Sequence, residues 1–179
     1  MFWNLLFFVI LLAIFTLSIC LQIKHKKIFN KQPLSYYLTV IIPQSVFLSV
    51  IFILFMVSGN SSTAYLVAGI LIYSIGFLVR LKTISDLKSN YNISKEKISD
   101  QIMTTGIYSY VRHPLYLGTL FIYFGFCLML FSKIGVALYF IFLIPLFFIR
   151  IKEEEKEFSD NSKYQQYRKE VSCLIPFIF

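Results

Sequence analysis

Long stretches without a charged residue constrain this 179-residue sequence more than any other feature. Met1 to Ile23 carries no charge, and neither does Gln32 to Val79, whose 48 residues are broken only by a short polar turn at 58–63. Two further apolar runs cover Pro114 to Ser132 and Ile134 to Ile149. A bilayer core about 30 Å thick is crossed by roughly 20 apolar helical residues. Together with a hydrophobic content of 58%, the pattern predicts an all-α integral membrane protein with about five transmembrane helices.

The positions of lysine and arginine predict the orientation of these spans. Four lie in Lys24 to Lys31, six from Arg80 to Arg112 and six from Arg150 to Lys169, which leaves only Lys133 for the opposite side. Because basic residues accumulate in cytoplasmic loops, we expect the N-terminus outside and a helical C-terminal tail in the cytoplasm, in a bacterial plasma membrane or an endomembrane. The net charge of +8 follows from this topology and from attraction to anionic lipid headgroups, without a nucleic-acid partner.

The N-terminal run argues against a secretory signal, and the cysteines argue against a disulfide framework or a metal site. Met1 to Ile23 has no basic start and no small-residue cleavage site, so we expect a retained span and not a secretory signal. Cys20 and Cys127 lie in apolar runs, and Cys173 lies in the tail. These positions give neither a disulfide framework nor the ligand spacing of a metal site.

The third span links two halves of the chain with different predicted roles. Residues 1–75 contain almost nothing polar and are interpreted as a scaffold, whereas residues 76–179 hold nearly every candidate for chemistry. Gly69 and Gly76 give the third span a small face that allows a neighbouring helix to approach closely. Apolar residues at 81, 84 and 87 recur at helical spacing, which predicts that the helix continues beyond the membrane surface through Arg80 to Lys88. Asn90 to Thr105 is predicted to be a cytoplasmic loop.

The first polar cluster, Gly106 to Gly118, lies at the start of the fourth span. Gly106 permits a backbone turn, and Pro114 suits the first turn of a helix, where its missing N–H costs nothing. One interpretation is a basic membrane flank at Arg112 and His113 with tyrosines as an interfacial aromatic belt. The other is a binding site at the lipid boundary, which the combination of these residue types favours.

The second polar cluster, Arg150 to Phe158, places four acidic residues at the cytoplasmic end of the fifth span. Neighbouring like charges repel, and acidic residues contribute little to topology. Arg150 and Glu154 are four residues apart and share one helical face, so they can point together into a pocket between helices. The alternative is a solvated helix with exposed ion pairs.

The two clusters and the tail together carry a resemblance to a known family. In order, the chain contains Gly106-x-Tyr108-x-x-x-Arg112-His113-Pro114-x-Tyr116-x-Gly118, Arg150-Ile151-x-x-Glu154-Glu155-x-x-Phe158, Tyr164-x-x-Tyr167-Arg168-x-x-Val171 and Ile175-Pro176. This order and spacing, over roughly residues 76–179, resembles the isoprenylcysteine carboxyl methyltransferase family. The broader group also contains membrane phospholipid methyltransferases.

The resemblance implies an integral membrane methyltransferase that binds S-adenosylmethionine between helices and cytoplasmic loops, without a metal. By motif position it assigns cofactor contacts to Gln101, Ile102, Met103, Tyr108, His113, Pro114, Leu115, Tyr116 and Glu154. It assigns Arg150, and Arg168 with it, to the reacting group of the substrate as catalytic residues. The chain departs from the family pattern at Asp100 and Gln101, where a histidine-containing stretch is frequent, and at Ser172, where a proline is frequent.

The methyl acceptor is predicted to be a lipid or a lipidated substrate, because a soluble acceptor does not require five spans around the site. Methyl transfer from a sulfonium demands alignment and exclusion of water. A carboxylate acceptor is already ionised at neutral pH, so Arg150 only has to orient it. An amine headgroup arrives protonated and needs a proton acceptor such as His113 or Glu155. The arginine favours carboxyl O-methylation of an isoprenylcysteine-like substrate over N-methylation of a phospholipid amine.

Two other classes of function stay open. One is a small membrane scaffold or accessory protein that keeps the fold without catalysis. The other is a nicotinamide-dependent membrane reductase, because some sterol reductases carry a similar Arg-x-Pro-x-Tyr segment. Glu154 and Glu155 after Arg150 favour the methyltransferase.

Overall fold

The computed structural model describes residues 42–58, 62–93 and 102–175, together with Val9. Apart from Val9, the predicted first span, Met1 to Ile23, lies outside the described residues. The chain divides into two compact units, Met1–Phe47 and Leu48–Phe179. All site residues discussed below belong to the second unit.

The described residues form helices joined by turns, without a β-strand among them, which confirms the all-helical fold. The elements are α1 (Ile42–Ser58), α2 (Thr63–Ile93), a 3-10 helix (Gly106–Ser109), α3 (Pro114–Met129), α4 (Lys133–Leu138), a π-helical segment (Tyr139–Leu143), α5 (Ile144–Glu157) and α6 (Ser162–Glu170). The last four of these carry the chain from the fifth predicted span into the tail.

Two of these helices are long and apolar enough to cross a membrane. They cover Thr63–Leu87 within α2 and Lys133–Lys156, in which α4, the π-helical segment and α5 form one continuous helix. The apolar helix α3 has 16 residues; at about 1.5 Å per residue it is roughly 24 Å long, shorter than a bilayer core of about 30 Å. The total of five spans and the outside position of the N-terminus stay predictions.

Helix α2 continues well past its apolar part. It runs without a break through Arg80 to Lys88, as the helical spacing predicted, and ends at Ile93. The first residues of the predicted loop from Asn90 to Thr105 are therefore helical. This extension carries Asp86 to the level of the Gly106 loop, where it becomes part of the site.

Helices α2 and α3 pack against each other through two pairs of glycines. A Cβ atom on Gly76 would lie 2.6 Å from the carbonyl oxygen of Gly118, and one on Gly118 would lie 2.8 Å from the carbonyl oxygen of Gly76. Gly69 and Gly125 show the same reciprocal contact, at 2.7 and 2.8 Å. The pairs are seven residues apart on each helix, about two turns, and therefore share one face. The close approach predicted for Gly69 and Gly76 is confirmed, with α3 as the partner.

The π-helical segment interrupts the last long helix immediately before a proline. The N–H of Ile144 donates to the carbonyl oxygen of Tyr139, five residues earlier. Pro145 has no N–H, and in a regular α-helix its ring would collide with a carbonyl of the preceding turn. Because the wider turn precedes the proline, the helix continues to Glu157 and carries Arg150 and Glu154 beyond the apolar region.

We expect Gly76→Ala to destabilise the α2 and α3 pair, because its methyl group meets backbone atoms that cannot rotate away. The expected cost is about 1–3 kcal/mol, as for other overpacked contacts. It is measured as a lower thermal denaturation midpoint of the purified protein in detergent. Ser74→Ala, an exposed position on the same helix, is the matched control. Equal midpoints for the two variants would contradict the close packing.

Candidate functional site

The start of α3 fixes the position of an imidazole and a phenol. His113 caps the helix, and Pro114 fills its first turn, where the proline needs no hydrogen-bond acceptor. The rings of His113 and Tyr116 lie 5.9 Å apart between centroids. Tyr116 also packs edge-on against Phe147 of α5, at 5.3 Å. The aromatic contact brings the start of α3 against the face of α5 that carries the charged residues.

The end of α5 supplies an arginine and three successive carboxylates. Nη2 of Arg150 lies 3.2 Å from Oε1 of Glu154, which confirms the shared face predicted from their spacing. Nη1 of Arg150 lies 3.4 Å from Oε2 of Glu153. Successive helical residues point about 100° apart. Glu154 and Glu155 therefore face different partners, although they are neighbours in the sequence.

Glu154 is the centre of the first group of contacts, the Glu154 cluster, formed by Tyr116, Arg150 and Glu154. The hydroxyl of Tyr116 donates to Oε1 of Glu154 at 2.5 Å, and Arg150 faces the same oxygen. The second oxygen, Oε2, lies 3.9 Å from Nδ1 of His113, which is too far for a hydrogen bond. The Glu154 side chain keeps 28% of its surface exposed, so a ligand can reach it.

The charge of Glu154 acts on the nearby phenol of Tyr108. Burial raises the pKa of the Tyr108 phenol well above its ordinary value, and the negative charges of Asp86 and Glu154 raise it further. The phenol therefore stays protonated and remains available as a hydrogen-bond donor.

Glu155 is the centre of the second group of contacts, the Glu155 network, formed by Arg112, His113, Glu155 and Arg168. Its Oε1 accepts a hydrogen bond from Nε of Arg112 at 3.0 Å and lies 3.2 Å from Nε2 of His113, within hydrogen-bond distance. Its Oε2 lies 3.5 Å from Nε of Arg168. The Glu155 side chain is only 9% exposed. A buried carboxylate of this kind is tolerated because cations and hydrogen bonds surround it.

The side chains of His113, Glu155 and Cys173 bring one nitrogen, one oxygen and one sulfur within 4.8 Å of one another. The oxygens of Glu155 already face two guanidinium groups, those of Arg112 and Arg168. A divalent cation at this point would be repelled by both. The arrangement therefore favours an ion-pair network over a metal centre.

The tail lies against the segment that leads into α3. Nη1 of Arg112 donates to the carbonyl oxygens of Arg168 and Val171, both at 2.7 Å. The backbone N–H groups of Arg112 and His113 donate to the carbonyl oxygens of Ser172 and Cys173, at 2.9 and 3.1 Å. The resulting parallel bridge between Val111 and Ser172 holds the tail beside the site.

The Gly106 loop is held from two sides. On the α2 side, the N–H of Ile107 donates to Oδ2 of Asp86 at 2.9 Å. Gly106 has a φ of 65°, and a Cβ atom there would collide with the Asp86 carboxylate. On the tail side, the hydroxyl of Tyr167 donates to the carbonyl oxygen of Tyr108 at 2.6 Å. Glycine is thus required twice at position 106, by its conformation and by its neighbour.

The remaining predicted site residues are Gln101, Ile102, Met103, Leu115 and Arg168. Gln101 lies outside the described residues. Ile102 and Met103 are half-buried in the segment before the 3-10 helix. Leu115 is half-buried in the first turn of α3, and its carbonyl oxygen accepts from Thr119. The side chain of Arg168 is 52% exposed and lies beside Glu155, in the Glu155 network and not in the Glu154 cluster.

Four residues that were not predicted as site residues form contacts that support the site: Asp86, Arg112, Glu155 and Tyr167. Three of them, Arg112, Glu155 and Tyr167, occupy positions of the family pattern, which could have indicated their importance. Asp86 had no such signal, because its partner is 21 residues away in the sequence.

Comparison with known proteins identifies a family and several similar proteins. The model of the isoprenylcysteine carboxyl methyltransferase (ICMT) family matches residues 66–160, which include the whole Glu154 cluster and every member of the Glu155 network except Arg168. The protein-S-isoprenylcysteine O-methyltransferase of Saccharomyces cerevisiae is 34% identical over 89 residues, which are 48% of this chain and 37% of that protein. The Xenopus laevis protein of the same name is 31% identical over 119 residues, 63% of this chain and 41% of that protein. The chain therefore spans about two fifths of the length of these curated relatives.

Two further similarities widen the comparison. Methanethiol S-methyltransferase 1 of Bradyrhizobium diazoefficiens is 31% identical over 91 residues, 50% of this chain and 31% of that protein. A solved structure described as the eukaryotic intramembrane Ras methyltransferase ICMT superimposes with a TM-score of 0.62 at 27% identity. That match covers 76% of this chain and 53% of the other.

We expect Tyr167→Phe to loosen the Gly106 loop, because the carbonyl oxygen of Tyr108 loses its hydroxyl donor. One such hydrogen bond contributes about 1 kcal/mol, and its loss should raise the amide hydrogen-exchange rates of residues 106–113. Tyr110→Phe removes a phenol hydroxyl from a side chain that is 66% exposed and serves as the control. Unchanged exchange in Tyr167→Phe would show that the tail does not restrain the loop.

Proposed function

This chain belongs to the isoprenylcysteine carboxyl methyltransferase family, and on that premise we propose that it is an integral membrane methyltransferase that uses S-adenosylmethionine. The observation that carries the proposal is the Glu154 cluster, in which Tyr116 and Arg150 hold one oxygen of a partly exposed carboxylate. These residues come from α3 and α5, within the part of the chain that the family model matches.

The chemistry of the Glu154 cluster supports S-adenosylmethionine as the ligand. That cofactor carries a sulfonium and an ammonium group, and when bound it supplies the methyl group from its sulfonium. Glu154 offers a carboxylate to a cation, and Tyr108 offers a protonated phenol as a donor. We assign cofactor binding to Tyr108, His113, Pro114, Leu115, Tyr116 and Glu154, and to Gln101, Ile102 and Met103 of the preceding segment.

Arg150 is proposed to orient the methyl acceptor. Its guanidinium is largely buried and lies next to Glu154, so an acceptor that reaches Arg150 also lies beside the proposed cofactor pocket. A planar guanidinium binds a carboxylate through two parallel hydrogen bonds. Arg168 is proposed to act at the edge of the same region, where its exposed guanidinium can meet the substrate before Arg150 does.

The names of the relatives support two acceptor classes. Several are protein-S-isoprenylcysteine O-methyltransferases, which favours a lipidic carboxylate and agrees with the role proposed for Arg150. The similarity to a methanethiol S-methyltransferase is of nearly equal identity and favours a small thiol as the second candidate. A thiol has an ordinary pKa near 8.5 and would need a proton acceptor, whereas a carboxylate would not.

We also propose that residues 1–75 act as the transmembrane scaffold and that the site faces the cytoplasm. The orientation is supported by the basic residues of the tail, one of which, Arg168, lies beside Glu155. A lipidic acceptor would then reach Arg150 from the membrane, and the cofactor would reach Glu154 from the aqueous side.

Glu154→Gln should weaken binding of S-adenosylmethionine at least tenfold, because the cofactor loses a charge-assisted hydrogen bond, which contributes roughly 1.5–3 kcal/mol. Isothermal titration of the purified protein measures the change. Glu153→Gln, at the neighbouring position with 52% of its side chain exposed, should bind within about twofold of the unchanged protein. The cofactor assignment fails if Glu154→Gln binds equally well.

Arg150→Ala should lower the rate of methyl transfer much more than it lowers cofactor affinity, because Tyr116 still holds Oε1 of Glu154. We expect kcat/KM for the acceptor to fall by more than about tenfold, as for a group that positions the substrate. Lys152→Ala, on the exposed face of the same helix, is the control. A parallel loss of cofactor affinity and transfer would move Arg150 into the cofactor-binding group.

The acceptor class is tested directly with the full chain in lipid nanodiscs and methyl-labelled S-adenosylmethionine. The acceptors supplied in turn are a farnesylcysteine analogue, phosphatidylethanolamine and methanethiol. A base-labile label on the prenylcysteine supports carboxyl methylation, whereas a stable label on the amine or a volatile thioether supports one of the other acceptors. Cofactor binding without transfer to any of these three acceptors would contradict the methyltransferase proposal and favour the accessory protein.

A further inference from the structure

We infer that Glu155 is a positioning residue that fixes the tautomer of His113, so that the imidazole and Glu154 present two hydrogen-bond acceptors to one ammonium group. The tautomer follows from contacts within the chain. That the ammonium belongs to the amino-acid end of S-adenosylmethionine rests on the proposed function.

The first step concerns the proton on Nε2 of His113. This nitrogen lies 3.2 Å from Oε1 of Glu155. An ionised carboxylate can only accept hydrogen bonds, so Nε2 must be the donor. In a neutral imidazole one nitrogen carries the proton and the other carries a lone pair. The neutral ring of His113 therefore has its lone pair on Nδ1.

The second step concerns the state of Glu155 itself. The guanidinium groups of Arg112 and Arg168 lie 3.0 and 3.5 Å from its two oxygens, which favours the ionised form. Its uncharged neighbours do not disturb this. Burial raises the pKa of the Tyr164 phenol and of the Cys173 thiol, and the charge of Glu155 raises both further, so both stay protonated.

The third step concerns the gap between His113 and Glu154. Nδ1 of His113 lies 3.9 Å from Oε2 of Glu154. With the lone pair on Nδ1, both atoms are acceptors and cannot bond to each other. A single ammonium nitrogen between them can donate to both, to Oε2 at about 2.8 Å as in other charge-assisted N–H···O hydrogen bonds, and to the lone pair of Nδ1. The gap therefore fits a primary ammonium group, whose three N–H donors can reach both atoms.

The fourth step explains why Glu155 holds this geometry. Arg112 pairs with Glu155 and also donates to two tail carbonyl oxygens, and the backbone N–H of His113 donates to the tail as well. The imidazole is thus fixed at its backbone by the tail and at Nε2 by Glu155. A glutamine at position 155 would remove this preference, because its amide can either donate or accept.

The tautomer is tested by nitrogen NMR of the imidazole in the full chain, without ligand. The chain contains two histidines, and replacing His25 with Asn leaves His113 as the only imidazole. At a pH that gives the neutral ring, we expect the proton on Nε2 in the unchanged protein and in Glu155→Asp, and a mixture of tautomers in Glu155→Gln. Glu170→Gln, an exposed carboxylate of α6, is the control. A proton on Nδ1 in the protein with Glu155 intact overturns the inference without any Glu155 variant having to fold.

The ammonium site is tested by comparing two ligands, S-adenosylhomocysteine and its analogue without the amino group. We expect the protein with Glu155 to bind the first about tenfold more tightly, and Glu155→Gln to narrow that ratio to about threefold or less. A general loss of structure would weaken both ligands equally and leave the ratio unchanged. An unchanged ratio in folded Glu155→Gln therefore overturns the positioning role. If neither ligand binds the unchanged protein, the proposed function fails, whereas the NMR result still decides the tautomer.

Discussion

The pairing of Glu155 with Arg112, His113 and Arg168 joins parts of the chain that the helices alone would leave separate. Arg112 and His113 lie in the turn before α3, Arg168 lies in the tail helix α6, and Glu155 itself lies in α5. Because a buried carboxylate is stable only while its partners remain, the three segments must be assembled together. The partly exposed carboxylate of Glu154 lies beside that assembly, facing His113.

The polar site lies at the ends of apolar helices, so its geometry depends on how closely these helices pack and on how they are oriented relative to one another. The glycine pairs between α2 and α3 let the two backbones touch, and this contact positions Asp86 beside the Gly106 loop. The aromatic contact of Tyr116 with Phe147 aligns α3 with α5. The packing of the apolar helices thus helps to set the distances between the polar groups at their ends.

Local spacing was sufficient to predict the contacts made within one helix. The pairing of Arg150 with Glu154 followed from a separation of four residues, and the small face of α2 followed from Gly69 and Gly76. Contacts between distant segments could not be predicted from spacing. The donation of Tyr167 to the Tyr108 carbonyl joins residues 59 positions apart, and a backbone acceptor has no signature in a sequence. The family pattern indicated that Glu155 and Arg112 matter, but it did not indicate that they bind each other.

The π-helical turn has a geometric consequence for the helix that carries Arg150. Buried residues recur there every four positions, at Gly135, Tyr139, Leu143, Phe147 and Ile151. Since an α-helix completes a turn in 3.6 residues, a stripe with a period of four rotates by about 40° at each step. The wider turn at Tyr139–Leu143 uses more residues per turn and takes back part of that rotation. The wider turn thereby keeps the charged end of this helix in rotational register with its apolar end.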